Sequence, residues 1–231
     1  MNDIKTSSSF FKFILFADDT SLFSTPNLTT NNNDSVLIND EFQKVQKWLK
    51  ENKLSLNAKK TKFIIFHNSG KNFISPILMI NDIQVEVVDH HKFLGFYIDQ
   101  GLNWNLQIDY VCNKMSRSIG ALNRLKNILP MHVKLMIYNS LIACHFNVGL
   151  LSWGNNTKIK RILKLQKKSV RIIMNKHYKC HADPLFKKLG LLKINDMLVL
   201  AKLKFFYKYN YGLLPERLLS ISCISNSNVH N

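Results

Sequence analysis

The sequence predicts an α+β chain in which short strands and one helix come first and helices alone follow. Three observations carry this. The apolar residues of 10–16, 20–24, 61–67 and 77–99 come in short runs rich in Phe, Ile, Leu and Val, separated by turn-forming residues. After "GLNWN" (101–105) the apolar residues recur instead at steps of three and four. The charge changes at the same place. Residues 1–102 carry 11 Lys and no Arg against 11 acids, whereas residues 103–231 carry 21 Lys plus Arg against four acids, Asp109, Asp183, Asp196 and Glu216. The whole net charge of +17 therefore belongs to the second part. A boundary is expected near 100–104, giving segments 1–102, 103–217 and a Ser/Asn-rich tail, 218–231, expected to be disordered.

In chain order, residues 10–16 and 20–24 read as two strands joined by "ADDT", a tight hairpin. "STPNLTTNNNDS" (24–35) has loop chemistry. The next stretch places Val36, Leu37, Phe42, Val45, Trp48 and Leu49 at helical spacing, with Asp34 or Ser35 as its cap. "TKFIIFH" (61–67) is a short buried strand. Residues 77–99 make two or three more, with "ND" as a hairpin turn. The order strand, strand, helix, strand, hairpin makes an α+β layer. Ile108, Val111, Met115, Ile119, Leu122 and Leu125 then lie along one helix that ends before Pro130. A second helix runs from Met131 to about Leu151, a third over 156–176, and residues 184–212 hold one short and one long helix.

With 231 residues, 46% of them hydrophobic, the chain can bury a real core as one large or two small domains. Cys112, Cys144, Cys180 and Cys223 form no CxxC pair, so the sequence supports neither a zinc ribbon nor a dithiol motif and fits reduced thiols. "HYKCH" offers His177, Cys180 and His181, one ligand short of a zinc site. The start, "MNDIKTSSS", has no apolar stretch of the kind a secretory signal needs. Residues 134–153 come nearest to a membrane span but contain Lys134, Asn139, His145 and Asn147. An intracellular chain, nuclear or cytoplasmic, with no membrane partner is expected. A charge so one-sided points to a polyanion, and nucleic acid is the expected one.

The chemistry is concentrated in "FILFADDTSLF" (13–23). Adjacent carboxylates repel, and Asp18 and Asp19 stand between segments that favour burial. A bound cation offsets that repulsion. Mg²⁺ takes oxygen ligands, typically one or two carboxylates plus phosphates. Two such ions about 4 Å apart serve phosphoryl transfer, one activating the attacking hydroxyl and one neutralising the leaving group. Asp is also a common turn former, so the pair alone is a weak signal. From 158 to 171 the chain carries Lys158, Lys160, Arg161, Lys164, Lys167, Lys168 and Arg171 with no acid. Such a run is either a solvated helix face or a surface whose self-repulsion phosphates relieve.

"FADD" resembles the [Tyr/Phe]-x-Asp-Asp motif of reverse transcriptases, flanked by apolar strands as that motif requires. "KLSLNAKKTKFIIF" resembles the Leu-x-Leu-Asn-x-x-Lys-Thr-Lys segment of the palm in retrotransposon enzymes, and "HKFLGFYID" their primer-grip hairpin. "GLNWNLQIDYVCNKMSRSIGALNRLK" and "HVKLMIYNSLIACHFNVGLLSWG" are similar to the family's thumb. Order and spacing agree over roughly residues 1–217. The chain thus resembles the C-terminal half of a reverse transcriptase of the non-long-terminal-repeat, jockey-like retrotransposons. The resemblance implies a truncated polymerase palm (1–102), an antiparallel sheet with a helix, then an all-α thumb and C-terminal helices. It implies an RNA template, a DNA primer and deoxynucleoside triphosphates as partners, with Mg²⁺, or Mn²⁺ in its place, held by Asp18 and Asp19. Asp18 is the better candidate for a direct ligand.

By the same resemblance, Lys60 faces the triphosphate and assists proton delivery to pyrophosphate; as a residue it also reads as a solvated lysine at a strand start. Phe93, Leu94 and Gly95 touch the primer backbone, Gly95 by permitting close approach; an ordinary bulge in a buried strand is the other reading. Tyr207, Tyr209 and Tyr211 stack bases or, the more favoured expectation, pack in a core or rim. The family's fingers and its first catalytic Asp precede the segments matched here. "MNDI" matches only the stretch before the hairpin, and Met1 resembles an internal methionine. The expected function is therefore a reverse-transcriptase fragment inactive alone. The rivals are a non-enzymatic nucleic-acid binder and an inert relic.

Overall fold

The computed structural model describes residues 3–25, 32–67, 76–81, 83–215 and 218, the side chains of 32 and 33 excepted. The chain is mixed helix and strand and divides into two compact units, 1–102 and 103–231.

In the first unit a 3₁₀ turn, Ile4–Ser7, leads into β1 (Lys12–Phe16) and β2 (Asp19–Phe23). Next come α1 (Asn32–Glu51), β3 (Lys62–Phe63), β4 (Met79–Ile80), β5 (Ile83–Gln84), β6 (Glu86–Val87), β7 (His90–Phe93) and β8 (Phe96–Asp99). The antiparallel sheet that the resemblance implies is corrected: the described residues make four separate two-stranded ladders. β1–β2, β4–β5 and β7–β8 are antiparallel, and β3–β6 is parallel. The physical reason is local closure. Tight turns fold each antiparallel pair onto itself, with Ile80 opposite Ile83 around Asn81 at φ 45°. The described residues of 77–99 hold five short strands where two or three were expected.

α1 covers the first ladder. Ile38, Phe42, Val45 and Leu49 pack with Ile4, Phe11, Phe13, Leu78, Ile80 and Val85. Val36 and Leu37, expected inside, are exposed, because Ile38 takes the inward position. The helix starts at Asn32, so Asp34 and Ser35 fall within its first turn and not before it. The Ser8 hydroxyl donates to Glu41 at 2.5 Å and accepts from the Phe10 and Phe11 amides, tying the start of β1 to α1. The Lys44 ammonium and the Ser8 hydroxyl hold the Glu41 carboxyl below its ordinary range against the opposing effect of burial.

Among the described residues β1 and β2 pair only with each other, so each strand keeps an open edge. Amides of residues 12–23 are expected to exchange with deuterium far faster than those of residues 106–122 in the second unit. Equal protection of the two segments would show that the ladder is stabilised by something beyond its own pairing.

The second unit holds α2 (Asn105–Leu125), α3 (Met131–Tyr138), a π-helical stretch (Asn139–Ala143), α4 (Cys144–Asn147), α5 (Leu150–Trp153), α6 (Ile159–Ile173), α7 (Asp183–Leu189) and α8 (Ile194–Asn210). Ile108, Val111, Met115, Ile119 and Leu122 are buried, and α2 packs on α6. Leu125, expected with them, is exposed. The helix expected over 131–151 is broken at Val148, which is extended, and Gly149, at φ 63°. The break turns Trp153 into the core, where its indole N–H donates to the Val148 carbonyl at 3.1 Å.

Three buried contacts lock this unit. The Gln166 amide, fully buried, donates to the Tyr138 hydroxyl and the Leu192 carbonyl and accepts from the Ile194 amide, each at 2.9 Å. It thereby joins α3, α6 and the start of α8. Lys134, 3% exposed, donates to the Lys126 carbonyl past the end of α2 and to the Asn175 side chain past the end of α6. Gly154 lies where a Cβ would stand 2.4 Å from the Leu150 carbonyl oxygen and 2.7 Å from Leu198 of α8.

No helix among the described residues is long and apolar enough to cross a membrane. Residues 219–231, expected to be disordered, lie outside the described residues.

Candidate metal and nucleic-acid site

The alternation of strand side chains sets the Asp pair. Phe13 lies opposite Leu22, and both pack toward α1, while Ile14, Phe16 and Phe23 point the other way and are exposed. Phe16 pairs with Asp19, so the turn is Ala17–Asp18 and has two residues. Asp18 stands in the turn, Asp19 begins β2, and both are exposed. Ala17 has φ 51°, a conformation that costs an L-residue about 1–2 kcal/mol. Glycine adopts it freely. Ala17→Gly should therefore raise the stability of the first unit by about 1 kcal/mol in urea unfolding. A loss would mean that the alanine methyl makes a contact that matters more than the strain.

Two neighbouring exposed carboxylates suit a single hydrated Mg²⁺ or Mn²⁺, which takes one or two carboxylates and keeps water or phosphate in its other positions. They do not make a two-ion cage. Among the described residues no three of His, Cys, Asp and Glu converge on a point that could hold a metal, His177, Cys180 and His181 included.

Lys60 lies in a turn built by Asn57. The Lys60 amide donates to the Asn57 carbonyl and side-chain oxygen at 3.0 and 3.2 Å, and the Thr61 amide to the Asn57 carbonyl at 3.0 Å. Its ammonium is exposed. β7 and β8 close on Phe93 opposite Phe96, with Leu94 at φ 45° and Gly95 at φ 90°. Gly95 is thus the second residue of a hairpin turn, and the bulge reading is corrected. A Cβ there would meet nothing within 4 Å, so the backbone conformation, not a close approach within this chain, requires glycine. Phe93 is half-buried and Leu94 is exposed at the tip.

The helix α6 buries Ile162, Gln166, Ser169, Val170 and Ile173 on one side and carries the cations on the other. Arg161 pairs with Asp109 of α2, and the Arg171 guanidinium donates from Nε to the Cys180 carbonyl at 2.7 Å. Those two cations have partners within this chain. Lys160, Lys164 and Lys168 recur at steps of four on the solvent side, with Lys167 beside them; Lys158, also exposed, precedes the helix. Tyr207 and Tyr211, expected to pack in a core or rim, are exposed and in contact with each other, ring centroids 4.5 Å apart.

The chain matches no family model, no curated protein and no solved structure.

Gln166 escaped the sequence reading because it stands among lysines. The available signal was its phase: position 166 falls four residues after Ile162 and four before Val170, both fully buried.

Proposed function

We propose that this chain is part of an RNA-directed DNA polymerase of the retrotransposon kind, and that by itself it does not extend a primer. The observation that carries the reading is the hairpin tip. Two adjacent carboxylates are presented to solvent by a two-residue turn on strands that pack against α1. That is the geometry a polymerase needs from a carboxylate pair: a fixed backbone below and accessible oxygens above. When bound, Mg²⁺ would polarise a phosphoryl oxygen and lower the pKa of a nucleophilic hydroxyl. Asp18 and Asp19 would orient it, and Lys60 would serve the departing phosphates. With two carboxylates and no third ligand beside them among the described residues, catalysis by this chain alone is not expected. The alternative, a binder without catalysis, draws on the acid-free lysine stripe of α6.

Both parts are testable on the full chain. On a poly(A)–oligo(dT) template with Mg²⁺ or Mn²⁺ no extension above background is expected. Extension that vanishes in Asp18→Asn would show a complete active site and overturn the inactive reading. An RNA–DNA duplex should bind, and log K should fall against log salt with a slope of about −4, one phosphate for each of four to five lysines. Replacing Lys160, Lys164 and Lys168 together with Glu should flatten that slope and abolish binding. A flat slope in the unaltered chain would remove α6 from the account.

A further inference from the structure

The helix α8 is apolar on two opposite sides. Ile194 and Leu198 face inward and are buried. On the opposite side Val199, Leu203, Phe206 and Tyr207 are each more than half exposed. By helical phase Lys202 lies along one seam between the two apolar stripes, and Lys204 and Lys208 along the other.

The exposed side includes a shallow groove of about 380 Å³ lined by Leu203, Lys204, Tyr207, Lys208 and Leu213. Its end is built by the helix stop. Gly212, at φ 64°, lets its own amide bond to the Tyr209 carbonyl and the Leu213 amide bond to the Lys208 carbonyl, which folds Leu213 back beside the last turn. The same "GLL" device ends α7, where Gly190 at φ 64° folds Leu191 back. There Leu191 packs into a cluster with Leu185 and Phe186. At α8 the corresponding Leu213 is 62% exposed. A cap that elsewhere buries its leucine here leaves it as a groove wall.

We propose that this groove docks an acidic amphipathic helix of a partner protein, with apolar side chains between Leu203, Tyr207 and Leu213 and carboxylates against Lys204 and Lys208. The charges select this occupant. A second copy would bring lysine to lysine, since residues 103–231 carry a net +17. The chain's own residues beyond the groove carry one acid, Glu216, three residues after the groove wall Leu213, and none over 217–231, too few to match both lysines along a docked helix. A concave apolar groove with cations along its rim suits a helix with anchors at every third or fourth residue.

A displayed library of helical peptides, panned on the immobilised full chain, tests this. Enriched sequences should carry Leu, Ile or Phe at i, i+3 or i+4, and i+7, flanked by Glu or Asp. A soluble peptide made from the enriched pattern should lose at least about tenfold in affinity against Leu203→Glu. The double variant Lys204→Glu, Lys208→Glu should prefer a lysine-flanked twin. Both changes lie on the solvent side, and circular dichroism checks that the helices persist. No enrichment, enrichment without acids, or equal binding of both twins overturns the proposal. So does binding of phosphatidylserine vesicles or of oligo(dT) that Leu203→Glu abolishes, or a dimer in sedimentation that it dissolves. These readouts leave the lysines of α6 untouched, so the nucleic-acid reading stands or falls separately.

Discussion

Replacing Gln166 with alanine should destabilise the helical unit by about 4 kcal/mol, a large part of the 5–15 kcal/mol that a domain typically has. The side chain makes three hydrogen bonds in a fully buried position. Alanine removes them all and strands the Tyr138 hydroxyl, the Leu192 carbonyl and the Ile194 amide without water. Each stranded group costs about 1–3 kcal/mol. Burial already pushes the Tyr138 phenol up to about 12, so it cannot answer by ionising. Chemical denaturation followed by far-ultraviolet circular dichroism gives the magnitude, and hydrogen exchange the place. The amides at the start of α8 should lose protection first.

Gln166→Glu refines the test. A carboxylate in that position would be buried without a cation among its partners, so its folded-state pKa must lie above the ordinary value of about 4.3. The protonated form can still donate one hydrogen bond. The variant should therefore lie closest to the unaltered chain below pH 4 or so and fall further behind as pH rises. A deficit independent of pH would mean that the site admits water.

Gly154→Ala should cost about 2–3 kcal/mol, for a different reason. The added methyl would stand 2.4 Å from the Leu150 carbonyl oxygen and 2.7 Å from a methyl of Leu198. A leucine side chain can turn aside; a backbone carbonyl in a packed helix cannot. Leu198→Ala should relieve only the second clash. The double variant is expected to be less destabilised than the sum of the two single changes, yet still well below the unaltered chain. Strict additivity would mean that α8 does not rest on Gly154.

These two residues also mark the limits of sequence reading. The core of α2 was legible because Ile108, Val111, Met115, Ile119 and Leu122 repeat at helical steps, and all five are buried. Leu125 continues the pattern but lies in the last turn, where no neighbour covers it. Two hairpins were visible in their turn residues, since "ADDT" and "ND" each stop an apolar run; the third, at Leu94–Gly95, was expected only from the family resemblance, and the residues themselves read equally as a bulge. What the strands pair with was not visible. β3 meets β6 in parallel across more than twenty residues, a non-local choice that no local pattern encodes. The break at Gly149 was masked by apolar residues on both sides of it. In the candidate site, Asp18 and Asp19 could be placed at a tip from the apolar runs on either side of them. The strain at Ala17 could not, because alanine is not a residue that signals a positive φ. Arg161 and Arg171 read as part of an uninterrupted basic run, and only tertiary partners set them apart from the lysines.

Lys134 carries one more consequence, for chemical reactivity. It alone among the described lysines is buried, its ammonium enclosed by the Lys126 carbonyl and the Asn175 side chain. Amine-directed acylating reagents attack the unprotonated amine and need room to approach it. In the folded chain they will modify the solvent-facing lysines and leave Lys134 unlabelled. Label at Lys134 can appear only when α2, α3 and α6 part. The pace at which that one amine is acylated is therefore a clock for the opening of the helical unit, readable by mass spectrometry from a single residue.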